Sequence, residues 1–149
     1  MTSDGISTKD WDQVKECAAK IATAVCSDKN AQAKKETKAL LVLLDRLEER
    51  YGELPSILST RADYVASSSE SLRLLKKAYT LAEKAKDKAN LTYIASSLAE
   101  LYLVDRHDKK NGKFWLAKLR TGLQRHFDKY EFNVYKTLQK MLRSPRASS

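Results

Sequence analysis

The segment Ile57-Leu-Ser-Thr-Arg-Ala-Asp-Tyr-Val65 returns 37 positions later as Ile94-Ala-Ser-Ser-Leu-Ala-Glu-Leu-Tyr102, with Ile, Ser and Ala identical and Thr/Ser and Asp/Glu exchanged. Self-similarity at a spacing of roughly 20–50 residues marks architectures in which each unit buries its apolar face by stacking on the next. The expectation is a curved stack of helical units with one shared face for a ligand.

The rest of the chain agrees with helical units. Two prolines and four glycines in 149 residues leave few breaks, and apolar residues recur at three and four rather than at two, so the class is all-α. The first helix is expected from Thr8 to Val25, with Trp11, Val14, Ala18, Ile21, Ala22 and Val25 inward and Ser7 or Thr8 as cap. The second runs from Ala31 to Tyr51 and stops at Gly52, which suits a left-handed C-terminal cap. Pro55 opens the third, which carries the first copy of the repeat and ends at Ser67-Ser-Ser69. A fourth spans Glu70 to Lys86, and a fifth, Ala89 to Val104, holds the second copy. After the polar stretch 105–112 come a sixth, Lys113 to Phe127, and a seventh, Tyr130 to Leu142. Residues 1–7 and 144–149 are expected to fray, and 1–149 reads as a single helical-repeat domain.

Short polar turns favour antiparallel neighbours, so helices three and four, then five and six, form two stacked hairpins. Within each copy the positions 57, 62, 65 and 94, 99, 102 face the packing. Ser59 with Asp63, and Ser96 with Glu100, are i, i+4 pairs on another side, and repeating that side builds a polar groove. Arg61 stands where the second copy has Leu98, and its guanidinium has Asp63, a neighbouring helix acid or a ligand carboxylate as candidate partners. Partner recognition is assigned to Ser59, Arg61, Asp63, Ser96 and Glu100, with Arg106, Lys113 and Arg120 at the mouth, through charge-assisted hydrogen bonds. Tyr64 and Tyr93 are the aromatic anchors, whichever is exposed.

Between Tyr64 and Gln124, Lys77-Ala-Tyr-Thr-Leu-Ala-Glu-Lys-Ala85 followed by Leu98-Ala-Glu-Leu-Tyr102 resembles tetratricopeptide-like repeats. That family's hairpins pack into a right-handed superhelix, an α-solenoid that binds peptides or proteins. The spacing here departs from the family's period of about 34, and its usual Trp and Pro landmarks are missing. Tyr51-Gly-Glu-Leu-Pro-Ser-Ile-Leu-Ser-Thr-Arg-Ala-Asp-Tyr-Val65 ahead of such hairpins looks like a group of small stand-alone bacterial immunity proteins. Those neutralise a co-encoded toxin by binding it. The resemblance implies a cytoplasmic inhibitor with one dedicated protein partner and no chemistry of its own.

Charge separates the two halves. Residues 1–104 carry 16 Lys/Arg and 15 Asp/Glu, whereas residues 105–149 carry 12 and 4, so nearly all of the net +9 is C-terminal. Lys136, Lys140 and Arg143 share one face of the seventh helix, which offers an anionic partner, nucleic acid included, an alternative landing site. A basic inhibitor of this kind suits an acidic toxin, or binds through its near-neutral N-terminal hairpins. No phosphate loop, nucleophile elbow or zinc-protease motif occurs, so no catalytic residue is assigned. Cys17 and Cys26 lie about 13.5 Å apart along one helix, too far for a disulfide. His107 and His126 are distant in sequence, and no metal or cofactor is assigned. No apolar run reaches the roughly 20 residues of a membrane span, and the start lacks a secretory signal, which favours a cytoplasmic location.

Overall fold

The computed structural model describes residues 1–144 and shows within them seven α-helices and no strand. These are α1 (Thr8–Cys26), α2 (Asn30–Tyr51), α3 (Pro55–Tyr64), α4 (Ser68–Ala85), α5 (Lys88–Glu100), α6 (Lys109–Arg125) and α7 (Lys129–Arg143), with a π-helical stretch, Leu101–Asp105, extending α5. None of them is long and apolar enough to cross a membrane.

Side-chain caps set most of the starts. Ser7, Ser67, Asp87, Asp108 and Asp128 each accept a hydrogen bond from the backbone N–H three residues on. Asp108 moves the start of α6 to Lys109, ahead of the expected Lys113, and the expected polar break closes to three residues. The last turn of the fifth helix also differs from expectation. Its wider winding, with Arg106 N–H bonded to the Leu101 carbonyl at 3.1 Å, buries Leu101, Tyr102 and Leu103 in succession.

Neighbouring helices run antiparallel, as contacts between opposite ends show. Tyr51 and Arg50 at the end of α2 meet Asp10 at the start of α1, Ser71 of α4 donates to the Ala62 carbonyl near the end of α3 at 2.7 Å, and Gly122 of α6 lies on Thr92 of α5. Alternate helices run parallel. Asn90 at the start of α5 meets Ser56 at the start of α3, and Tyr93 of α5 reaches Asp128 at the start of α7. The helices α3, α5 and α7 thus lie side by side in one direction, with α4 and α6 packed behind them.

Two apolar cores result. Ile6, Val14, Ile21, Leu40, Leu44, Leu47 and Ile57 form the N-terminal one. The larger one joins α3 to α7 and includes Leu58, Ala62, Leu75, Ala78, Leu98, Ala99, Trp115, Leu119 and Leu138. Helix α3 feeds both, Ile57 facing one core and Leu58 with Ala62 the other, and is apolar on two sides for that reason. Both copies of the repeat occupy matching places, since Ile57, Ile94 and Ala99 are fully buried and Ala62 nearly so.

Further expectations change. Ala22 and Val25 are exposed, and Ala24 takes the buried place at the end of α1 because the preceding register is Val14, Ile21, Ala24. Phe127, expected as the last residue of the sixth helix, lies beyond the end of α6 at Arg125 and is 65 % exposed. Residues 1–7 are held rather than frayed: Ile6 is fully buried, and the Asp4 carboxylate accepts from Ser56 N–H at 2.7 Å and Ser56 Oγ at 2.9 Å. Residues 145–149, most of the tail expected to fray, lie outside the described residues.

Candidate partner-binding groove

A groove runs along the layer of α3, α5 and α7. One half, about 330 Å³, is lined by Ala62, Asp63, Ser71, Ser97, Glu100 and Asp105 among others. The other, about 550 Å³, is lined by Trp11, Ser59, Asp63, Tyr93, Ser97 and Glu131 among others. Asp63 and Ser97 line both, so the two halves adjoin at these residues.

Its electrostatic sign is opposite to that of the chain. Asp63, Glu100, Asp105 and Glu131 line it, and no Lys or Arg does, in a protein of net charge +9. None of these four carboxylates has a salt-bridge partner among the described residues. Asp63 opens to water on the groove side while protein atoms crowd its carboxyl. That desolvation, followed by the like charge of Glu100, pushes its pKa up to about 6. Burial likewise raises the Glu131 carboxyl. The nearby Ser96 hydroxyl favours its ionised form, and the negative charges of Asp128 and Glu100 oppose it. Glu131 is 8 % exposed, and its Oε2 has no hydrogen-bond partner among the described residues.

Four assigned residues lie on the groove lining, three of them from the repeated pattern. Ser59 and Asp63 come from α3, and Tyr93 and Glu100 come from α5. The Tyr93 hydroxyl donates to Asp128 at 3.3 Å, and burial with that neighbouring carboxylate raises its pKa. Of the two aromatic candidates Tyr93 is the exposed one, at 40 %, whereas Tyr64 is half-buried against the N-terminal core. Burial raises its phenol too, and Asp63 adds to the effect.

Other assignments move. Arg61 points away from the groove to α2, where its guanidinium meets Asp45 at 2.7 Å and Glu48 at 3.7 Å; a cation that half-buried must find carboxylates, and α2 supplies them. Ser96 is buried beside Glu131, and the next residue, Ser97, lines the groove instead. Arg106, Lys113 and Arg120 are exposed and line neither half. Lys136, Lys140 and Arg143 are exposed on α7, with Lys136 Nζ 4.9 Å above the Phe132 ring.

Glu131 is the residue that sequence reasoning missed. Asp128-Lys-Tyr-Glu131 reads as a capping box, in which the glutamate turns back to its own helix start. The Asp128 half forms, its carboxylate accepting from Glu131 N–H at 2.9 Å, while the Glu131 side chain turns into the groove. Among the described residues no group of three or more His, Cys, Asp or Glu is arranged to hold a metal, and Cys17 and Cys26 are free thiols. Compared with family models, with curated proteins and with solved structures, the chain matches none of them.

Proposed function

We propose that this chain is a protein-binding module whose α3, α5 and α7 layer receives a cationic segment of a partner protein, and that it acts as an immunity-type inhibitor of a toxin in the cytoplasm. The carrying observation is a groove lined by four carboxylates and no Lys or Arg, set in a basic protein. Proteins that act on nucleic acid are themselves basic at the working surface, and an inhibitor competes there with carboxylates in place of phosphates. The basic C-terminal half does not conflict with this, because the negative field is confined to the groove and screened within about a Debye length of 8–10 Å. The tetratricopeptide-like, right-handed solenoid belongs to the same proposal: parallel inner helices α3, α5 and α7, with α4 and α6 behind, are what such a stack presents. No catalytic role is proposed.

The test is recovery of the tagged chain from its own cells, with and without nuclease, beside an Asp63→Lys/Glu100→Lys variant checked for helicity. One stoichiometric protein that survives nuclease and is lost from the variant is the expected result. A partner retained equally by the variant refutes the groove.

A second reading has its own observation. Phe127, Tyr130 and Phe132 are exposed at the corner of α6 and α7, beside Lys136. Stacking rings flanked by ammonium groups suit single-stranded nucleic acid. Loss of all bound material on nuclease treatment, and its loss from a Lys136→Glu/Lys140→Glu/Arg143→Glu variant, would favour that surface.

A further inference from the structure

A smaller cavity behind the groove layer carries the opposite sign. It measures about 210 Å³ and opens where α4, the start of α5 and the second half of α6 meet. Lys88 comes from the first position of α5, Lys118 and Arg125 from α6, and Tyr79 and Glu83 from α4. Three cations against one carboxylate leave an excess of +2 on the lining. None of the three cations has a carboxylate partner among the described residues, and all three are exposed, so a solute reaches them from water. The Lys118 ammonium stands 5.5 Å from the centre of the exposed Phe114 ring.

Short contacts hold these walls together. Thr92 Oγ1 donates to the Lys88 carbonyl at 3.1 Å, and a Cβ added at Gly122 would lie 2.8 Å from that same oxygen. Lys88 is thereby one side chain away from the α6 backbone between Lys118 and Arg125. Tyr79 meets Trp115 edge-on with ring centres 4.9 Å apart, which ties α4 to the same helix. Burial pushes the Tyr79 phenol up, the negative charge of Glu83 adds to that, and the positive charge of Arg125 opposes it, so both charges act on one hydroxyl. Lys118 and Arg125 are seven positions apart, two turns along one side of α6.

The volume is below the roughly 300–1,000 Å³ that encloses a drug-sized ligand, so one small group is what fits. An excess of +2 favours two negative charges over one. A carboxylate or a phosphodiester brings one. A phosphate monoester carries about −1.5 to −2 at pH 7 and has three strong acceptor oxygens, as many as there are cationic side chains here.

We propose that this cavity binds a phosphate monoester, with Arg125, Lys118 and Lys88 donating to its terminal oxygens and the Tyr79 hydroxyl donating from α4. Arginine supplies a planar fork to two oxygens, and each lysine supplies a point charge. Glu83 opposes the anion, so its neutralisation tightens binding. The site lies apart from the acidic groove and does not rest on the partner-binding reading.

The experiment is an NMR titration of the full chain, at low and constant ionic strength, with acetyl-Gly-phosphoseryl-Gly-amide and with glycerol 3-phosphate. At pH 7.5 the expected result is saturable shifts confined to amides around positions 79–83, 88–91 and 118–125. Binding should weaken at least threefold at pH 5, where the monoester has gained a proton, while sulfate, doubly charged at both pH values, should bind alike at each. Arg125→Gln and Lys118→Gln should each weaken the monoester at least fivefold, and Glu83→Gln should tighten it at least twofold. Lys88→Gln carries the same test should Arg125→Gln lose its helicity. Lys136→Gln removes the same charge from α7, outside the cavity, and should change binding less than twofold. Shifts spread over the basic surface, a loss with Lys136→Gln equal to that with Arg125→Gln, dimethyl phosphate binding as tightly as the monoesters, or no saturable binding overturns the assignment. Tighter binding of the phosphopeptide supports the site with a phosphorylated protein as its source; no advantage of the peptide supports it with a small phosphate ester.

Discussion

Replacing Asp63 by Asn should stabilise the protein at neutral pH and do nothing in acid below pH 3.8. The Asp63 pKa is raised from 3.8 to about 6 by desolvation and by Glu100, so the folded state binds a proton more tightly than the unfolded chain does. The stability associated with that proton is fully present below pH 3.8 and is lost as pH rises through about 6. A shift of this size is about 3 kcal/mol for a group sealed from water. Asp63 keeps solvent on its groove side, and screening brings the figure to about 1 kcal/mol. Asparagine is nearly isosteric with the protonated acid and cannot ionise, so it removes the penalty without emptying the site. Urea unfolding followed by circular dichroism at pH 3 and pH 7.5 should show the variant about 1 kcal/mol more stable at pH 7.5, with Tm about 3 °C higher there. At pH 3, below the unfolded-state value of 3.8, the two proteins should be equal within error. A variant that is no more stable at pH 7.5, or whose gain is the same at both pH values, refutes the argument. A gain at pH 7.5 would also mean that the native chain gives up stability to keep a charged carboxylate in the groove, as binding sites commonly do.

Other perturbations test the packing. Gly112→Ala should destabilise by about 1–3 kcal/mol although alanine is the better helix former, because the new Cβ would lie 2.2 Å from Leu103 Cδ2; adding Leu103→Ala should remove most of that increment, measured as a double-mutant cycle of unfolding free energies. Asp4→Ala should cost about 2 kcal/mol and open the N-terminal arm to proteolysis, since it orphans Ser56 N–H at the start of α3 and removes an acceptor from Asn90; an unchanged midpoint would show the arm to be dispensable. Arg61→Leu should change stability by no more than about 1 kcal/mol and leave partner recovery intact, because the paired acids of α2 keep solvent access and the second copy holds Leu98 at the matching place; loss of partner with a folded protein would return Arg61 to the groove.

The features legible in the sequence are those whose causes are local. A 3.6-residue apolar period, a Pro at a first turn and Ser or Asp three residues ahead of a free N–H act within one or two turns, so seven helices and most of their starts can be read directly. The 37-residue recurrence also carried real geometric content, since it set Asp63 and Glu100 along the same side of two parallel helices. What the local pattern does not contain is which neighbour a side chain meets. Arg61 answers to Asp45 and Glu48, sixteen and thirteen positions back on α2, and nothing within its own helix announces that choice. The same holds for Gly112, which sits in what reads as a polar loop and is in fact the place where α6 closes on Leu103. Glu131 shows the limit most plainly: its local role is half of a capping box, and only the packing of α7 beside α5 turns its carboxylate into the groove. Secondary structure follows from interactions between near neighbours in the chain, and the sequence by itself determined it. The groove follows from long-range packing, in which many weak contacts settle one arrangement among several that share the same periodicity, and that was decided only by the tertiary structure.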